Sequence, residues 1–134
     1  MPLNMYQEHI LDHYEHPAHR GTLAQPTFEY RALNPLCGDE VRIQGRLDAQ
    51  GCLADVCFDG HGCVLSVAAA SMLMEAVQGK TLAEVKTLDR QAMLALLGIP
   101  LTAMRVKCAL LPLRALGKAI HLYEGQAGDP SASG

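Results

Sequence analysis

Between residues 40 and 47, apolar Val41, Ile43 and Leu47 alternate with Arg42, Gln44 and Arg46. That period of two predicts a half-buried strand. Asp48-Ala49-Gln50-Gly51 reads as a turn. Residues 52–58 then predict a returning strand with Ala54, Val56 and Phe58 on one face, completing an antiparallel hairpin. A shorter strand is expected over 28–33, after a loop. The pattern changes at residue 64, where an apolar run rich in Ala, Ser and Met predicts a helix to 77, closed by Gly79. Near the start of the chain, Asn4 reads as a helix cap with Gln7 at the capping-box position. Tyr6, Ile10 and Tyr14 recur at helical spacing until Pro17 and Gly21 end the run. Thr81 and Glu84 form a capping box for a short helix, and Asp89 caps another reaching about Leu97. A last helix places Leu113, Leu116, Ile120 and Tyr123 on one face. Because proline fits a helix best in its first turn, Pro112 sets the expected start near Cys108. Residues 125–134, rich in Gly, Ser, Pro and Ala, are expected to be a disordered tail, leaving 1–124 as one domain.

Composition narrows the class. The chain has 134 residues, about one domain. It is 49% hydrophobic but has four Tyr, two Phe and no Trp, so aliphatic side chains and Met must fill the core. A net charge of -3 and a pI near 6.0 carry no basic footprint for nucleic acid. No apolar run approaches the ~20 residues that span a bilayer, and no secretory signal pattern opens the chain. The expected location is therefore the cytoplasm, where thiols stay reduced. Five cysteines, an odd number, point to metal or sulfur chemistry before a disulfide framework.

Three of those cysteines stand at junctions. In Asn34-Pro35-Leu36-Cys37-Gly38-Asp39 a thiol and a carboxylate lie two residues apart. In an extended segment both point to the same side and can reach one metal ion. Cys63 follows Asp59-Gly60-His61-Gly62, a glycine-rich turn after the strand, and opens the helix over 64–77. A helix N-terminus favours a thiolate. No Gly-Lys-Ser/Thr follows, which argues against a phosphate cradle. Cys108 is expected at a second helix start. Three soft sulfurs and the harder Asp39 oxygen make four ligands, a set suited to tetrahedral zinc or an iron–sulfur cluster. Spacing alone also allows three unrelated free cysteines. Cys52 and Cys57 read as small sheet residues. His9, His13 and His16 share a helix face; a metal site is conceivable there, but a solvated polar face is the expected role.

Four ordered motifs carry a family resemblance. Asp12-His13-Tyr14 with Pro17 and Gly21 resembles a DHY-x-x-P-x-x-x-G opening. Asn34 to Asp39 resembles NPxCGD. Gly60-His61-Gly62-Cys63, its small-residue helix and Gly79-Lys80-Thr81 resemble GxGC-helix-GKT. Arg105-Val106-Lys107-Cys108-Ala109-Leu110 resembles RxKCAxL. The chain is identified on these residues as a member of the IscU/SufU/NifU-N family of iron–sulfur cluster assembly proteins. The resemblance implies an α+β fold, a small antiparallel sheet with helices packed on one face. It implies that Cys37, Asp39, Cys63 and Cys108 surround one metal or nascent cluster, and that a cysteine desulfurase supplies persulfide sulfur. Lys107 replaces the histidine of IscU-type chains, a SufU-like feature. Gly98-Ile99-Pro100-Leu101-Thr102 replaces the LPPVK chaperone-recognition segment of IscU-type chains. The span from Cys63 to Cys108 leaves little room for the insertion of SufU-type chains, and Leu113 stands where these often have Trp.

Two functions compete. The first is a scaffold, not an enzyme, that binds iron or a nascent cluster and hands it to apo iron–sulfur proteins. The second is a zinc-dependent sulfur carrier with sulfurtransferase activity. A purely structural zinc module is the third and weakest reading, since such sites seldom use Asp. In either leading reading Cys37 is expected to take sulfur first, because Gly38 lets it swing outward, with Cys108 as its rival. Arg105 and Lys107 are the expected contacts for an acidic partner surface.

Overall fold

The computed structural model describes residues 2–36 and 38–128, and the side chains of 8–36 and 38–125. Its elements run α1 (Pro2–Glu15), β1 (Phe28–Asn34), β2 (Asp39–Leu47), β3 (Leu53–His61), α2 (Val64–Val77), α3 (Leu82–Lys86), α4 (Arg90–Leu97) and α5 (Ala103–Gly128). The three strands form one antiparallel sheet in the order β1-β2-β3. Helices α2 and α5 pack on one face of it, α1 lies against α2, and α4 touches both. The fold is therefore the expected α+β layer of helices on a small sheet.

Alternation along β2 buries Val41, Ile43 and Gly45 against the helices. Gly45 stands opposite Phe28, and a Cβ there would come within 2.3 Å of the Phe28 ring. The glycine thus makes room for an aromatic that a chain poor in large rings must place well. On β3, Val56 and Phe58 face inward as expected, but Leu53 joins them and is fully buried. The register jumps between Arg46/Asp55 and Leu47/Leu53, so Ala54 is an extra residue. A bulge of one residue returns the next side chain to the core face. Leu53, Ile43 and Phe58, buried to 2% exposure or less, each contribute about 1.5–3 kcal/mol by leaving water.

The second face of the sheet is not open. The chain at His19–Gly21 pairs with the edge of β3 through Phe58 and then crosses toward β1. Arg42 donates to Thr22 Oγ1 at 2.8 Å, Gln44 Oε1 accepts from the Leu23 amide at 2.8 Å, and Arg46 donates to the Ala24 carbonyl. The polar half of the β2 alternation therefore binds a covering segment and does not simply face water.

Helix α2 buries eleven of its fourteen residues, because the sheet, α1 and α5 surround it. Its small residues Ala68, Ala69, Ala70 and Ser71 have almost no exposure. Here one histidine departs from expectation. His13 is largely buried: its Nδ1 lies 2.7 Å from the Ser71 hydroxyl, which also accepts from the Ala18 amide at 2.7 Å. Ser71 is sealed inside, and a buried hydroxyl needs such partners. The α1 face that carries His13 is thus part of a helix interface. Helix α1 also begins ahead of Asn4, so Asn4 lies within it; Pro2 suits a first turn.

The last helix departs most. It begins at Ala103, not near Cys108, and runs to Gly128, past the expected start of the tail. Residues 129–134 lie outside the described residues. Thr102 opens the helix, its carbonyl accepting from the Val106 amide at 2.9 Å. Pro112 sits inside, where it has no N–H to give the carbonyl four residues earlier. Contacts along β1, β2, α2 and α4 offset that local loss. Cys108 is therefore in the second turn of a helix, not at its start.

Candidate metal centre

The centre lies where the β1–β2 turn, the end of β3 and the flank of α5 meet. Asn34 and Asp39 face each other across the first hairpin. The turn between them closes with the Gly38 amide donating to the Asn34 carbonyl at 2.8 Å and the Leu36 amide to Asn34 Oδ1 at 3.2 Å. Gly38 has φ +74°, a value that L side chains rarely adopt. This turn aims Asp39 inward, where it is 1% exposed.

Strand β3 leads the second candidate ligand to the same place. The glycine-rich stretch expected as a turn is in part strand, since Glu40 pairs with His61. Gly60 permits the pairing: a Cβ there would strike the Glu40 carbonyl oxygen at 2.2 Å. Arg20 holds this strand end by donating to the Gly60 carbonyl at 2.7 Å. Cys63 then caps α2 with extended backbone, as expected. Its amide donates to Asp39 Oδ1 at 2.9 Å, and its thiol lies 3.5 Å from Asp39 Oδ2. Gly62 has no side chain for good reason: a Cβ would sit 2.5 Å from both Asp39 Oδ1 and the Ser66 hydroxyl.

Helix α5 brings the third candidate ligand, Cys108, at 2% exposure. The ligand atoms of Asp39, Cys63 and Cys108 lie within 4.8 Å of one another. Zinc–sulfur bonds of ~2.3 Å and zinc–oxygen bonds of ~2.0 Å at tetrahedral angles require ligand separations of ~3.5–3.8 Å. The Asp39–Cys63 pair already meets that spacing, and the pairs with Cys108 lie within 4.8 Å. The positive end of α2 favours negative charge where Cys63 and Asp39 stand. Two thiols and a carboxylate can thus hold one borderline or soft cation. Cys37, the fourth expected ligand, lies outside the described residues.

Other candidates fall elsewhere. Cys57 faces the covered side of the sheet, and Cys52 bridges to Thr81 at the far end of α2. His61 shares the side of Glu40, opposite Asp39, and is exposed. Arg105 and Lys107 are exposed on the opening turns of α5, and residues two apart on a helix point in different directions. Sequence reasoning missed Ser66. Its hydroxyl donates to the Cys63 carbonyl at 3.1 Å and lies 3.9 Å from the Cys63 sulfur. The available signal was a serine three residues beyond a cap, which reaches back across one turn.

The sheet, its helices and this mixed ligand set define a class. The chain belongs to the NifU-like N-terminal domain family, which matches residues 5–129. It is 31% identical to the "Zinc-dependent sulfurtransferase SufU" of Bacillus subtilis, over 90% of this chain and 92% of that protein. It is 30% identical to the "Iron-sulfur cluster assembly scaffold protein IscU" of Haemophilus influenzae, over 92% of this chain and 98% of that protein. The crystal structure of FiSufU from Fervidobacterium islandicum AW-1 superposes with TM-score 0.72 at 29% identity, covering 84% of this chain and 94% of that one. Among the described residues no helix is long and apolar enough to cross a membrane.

Proposed function

We propose that this chain is an iron–sulfur cluster assembly scaffold. It accepts sulfur from a cysteine desulfurase, holds iron and sulfide at Cys37, Asp39, Cys63 and Cys108, and releases the cluster to apo iron–sulfur proteins. The observation that carries this reading is the convergence of Asp39 with Cys63 and Cys108 at a buried junction of three elements. Thiolates bind iron strongly, whereas one carboxylate is a poorer ligand for a sulfide-rich core. Asp39 is then the ligand most readily displaced once the centre opens to a receiving thiol. Such chemistry needs reduced thiols, in keeping with the free Cys52, Cys57 and Cys63 and with a cytoplasmic location.

Sulfur enters by thiol–persulfide exchange. The Cys37 thiolate attacks the outer sulfur of the desulfurase persulfide. A new S–S bond forms on Cys37, the old one breaks, and the desulfurase cysteine leaves as thiolate; a two-electron reductant, such as a pair of external thiols that become a disulfide, then releases the sulfur as sulfide and frees Cys37. Burial of Cys108 disfavours it as first acceptor, because attack there would require the centre to open. Arg105 and Lys107, both exposed on α5 three residues and one residue ahead of Cys108, offer the desulfurase cationic contacts on different sides of that helix.

A second reading, a zinc-dependent sulfur carrier, is favoured by Lys107 in place of histidine and by the likeness to the Bacillus subtilis protein. The same four side chains would hold zinc, which would keep the thiolates ionised and in place. Anaerobic incubation with iron, cysteine and a desulfurase separates the readings. The scaffold develops sulfur-to-iron charge-transfer absorption and passes the chromophore to an apo-acceptor. A colourless, zinc-loaded protein that raises desulfurase turnover and builds no chromophore would establish the carrier instead. Persulfide mapping by mass spectrometry should place the added sulfur on the Cys37 peptide. Sulfur on the Cys108 peptide that survives Cys37→Ser would reverse that assignment.

A further inference from the structure

Helix α5 carries Arg105, Lys107, Arg114 and Lys118, four of the chain's eleven Lys and Arg residues, but only one of its fourteen carboxylates, Glu124. Glu124 is taken by Lys86 of α3 at 2.6 Å. The arginines around the sheet behave differently, whereas Lys80 and Arg90 share the unpaired state among the described residues. Arg20, Arg31, Arg42 and Arg46 around the sheet all meet carboxylates, Asp59, Glu40 or Asp55. None of the four on α5 has an ion-pair partner among the described residues.

Three of the four are aligned. At ~100° per residue, Lys107, Arg114 and Lys118 fall within ~40° of one another and make a line about 16 Å long. All three are exposed. Arg114 and Lys118 stand at i and i+4, where like charges destabilise a helix. They also line a cleft of about 260 Å³ with Tyr30, Arg31 and Leu33 of β1, and Leu33 is 60% exposed at its rim.

We infer that this shoulder of α5 docks an acidic polypeptide segment of a partner protein, whose carboxylates follow the cation line and whose apolar side chain enters the cleft at Leu33. Charge complementarity names the partner's chemistry. A nucleic acid fits less well, because the chain as a whole is at -3 and a long polyanion would meet its remaining carboxylates. Lys107 is shared with the desulfurase contacts proposed above; Arg114 and Lys118 are not, and the test is confined to them.

The probe is a short synthetic peptide alternating Glu with Leu, titrated into the full chain and followed by amide chemical shifts and calorimetry. Shifts should appear along α5 and β1, and affinity should fall as ionic strength rises. Arg114→Glu/Lys118→Glu should weaken binding at least about tenfold, whereas Lys80→Glu, an exposed cation elsewhere, should not. If charge reversal harms the fold, Arg114→Gln/Lys118→Gln serves, with metal content as the control. Absence of binding, equal loss in Lys80→Glu, shifts confined to other elements, or tighter binding of a single-stranded oligonucleotide than of the peptide would each overturn the assignment.

Discussion

Cys57 and Cys63 stand on the same strand-to-helix segment, and their surroundings give them opposite chemistry. Cys57 projects from β3 to the covered side of the sheet, where its thiol donates to Gln44 Oε1 at 3.4 Å. Burial pushes this thiol up, and Arg42 nearby only partly opposes the effect. It stays protonated and acts as a small core residue. Cys63 lies just past the strand, where alternation ends and α2 begins. Its amide is tied to Asp39, its sulfur faces the same carboxylate, and Cys108 approaches from α5. One residue type therefore becomes core filler or candidate ligand according to which side of the sheet it leaves and whether a helix starts there.

The largest effect should come from deleting one cysteine on each side. Cys63→Ala or Cys108→Ala should lower metal affinity more than about a hundredfold in chelator competition, since a coordinate bond is lost outright. Cys57→Ala should leave affinity unchanged; metal loss there would erase the contrast.

Next is Gly62→Ala. The added Cβ meets Asp39 and Ser66 at 2.5 Å, which should cost about 1–3 kcal/mol in urea unfolding and displace the carboxylate. Undiminished stability would mean that Asp39 has room to move, and that the ligand geometry is looser than these contacts imply.

Asp39→Ala tests the carboxylate from two directions. Its loss deprives the half-buried Cys63 amide of its acceptor, costing about 1 kcal/mol. A reconstituted cluster should nonetheless live longer, because the one hard, most readily displaced ligand is gone. Faster cluster decay than in wild type would show that Asp39 retains cargo.

The smallest effect is the pH dependence of Cys57. Its folded pKa is raised above the ordinary 9.0. The protonated thiol therefore contributes stability that is intact below pH 9.0 and declines as pH climbs toward the folded value. Cys57→Ser, whose hydroxyl can still donate to Gln44, should remove that alkaline decline. An unchanged profile would assign it to another group.

What the sequence by itself determined was local. Alternation along β2, the bounds of α2, the capping box at Thr81 and the cap at Asp89 all stand as their residues predict, because each depends on neighbours within a turn or a strand pair. Asp39, Cys63 and Cys108 were legible as candidate ligands through their motifs, and their ligand atoms lie within 4.8 Å of one another. Tertiary structure decided the rest. Pro112 marks a helix start by local rules, yet packing against the sheet and α2 carries α5 through it, so Cys108 reaches the centre from a helix flank. His13 reads as solvated until α1 meets Ser71. Leu53 joins the core only because a bulge at Ala54 turns it inward. Ser66 and Gly62 matter only once Asp39 lies against them. In each case the deciding partner is distant in the chain, and burial against it outweighs a local preference of about 1–3 kcal/mol.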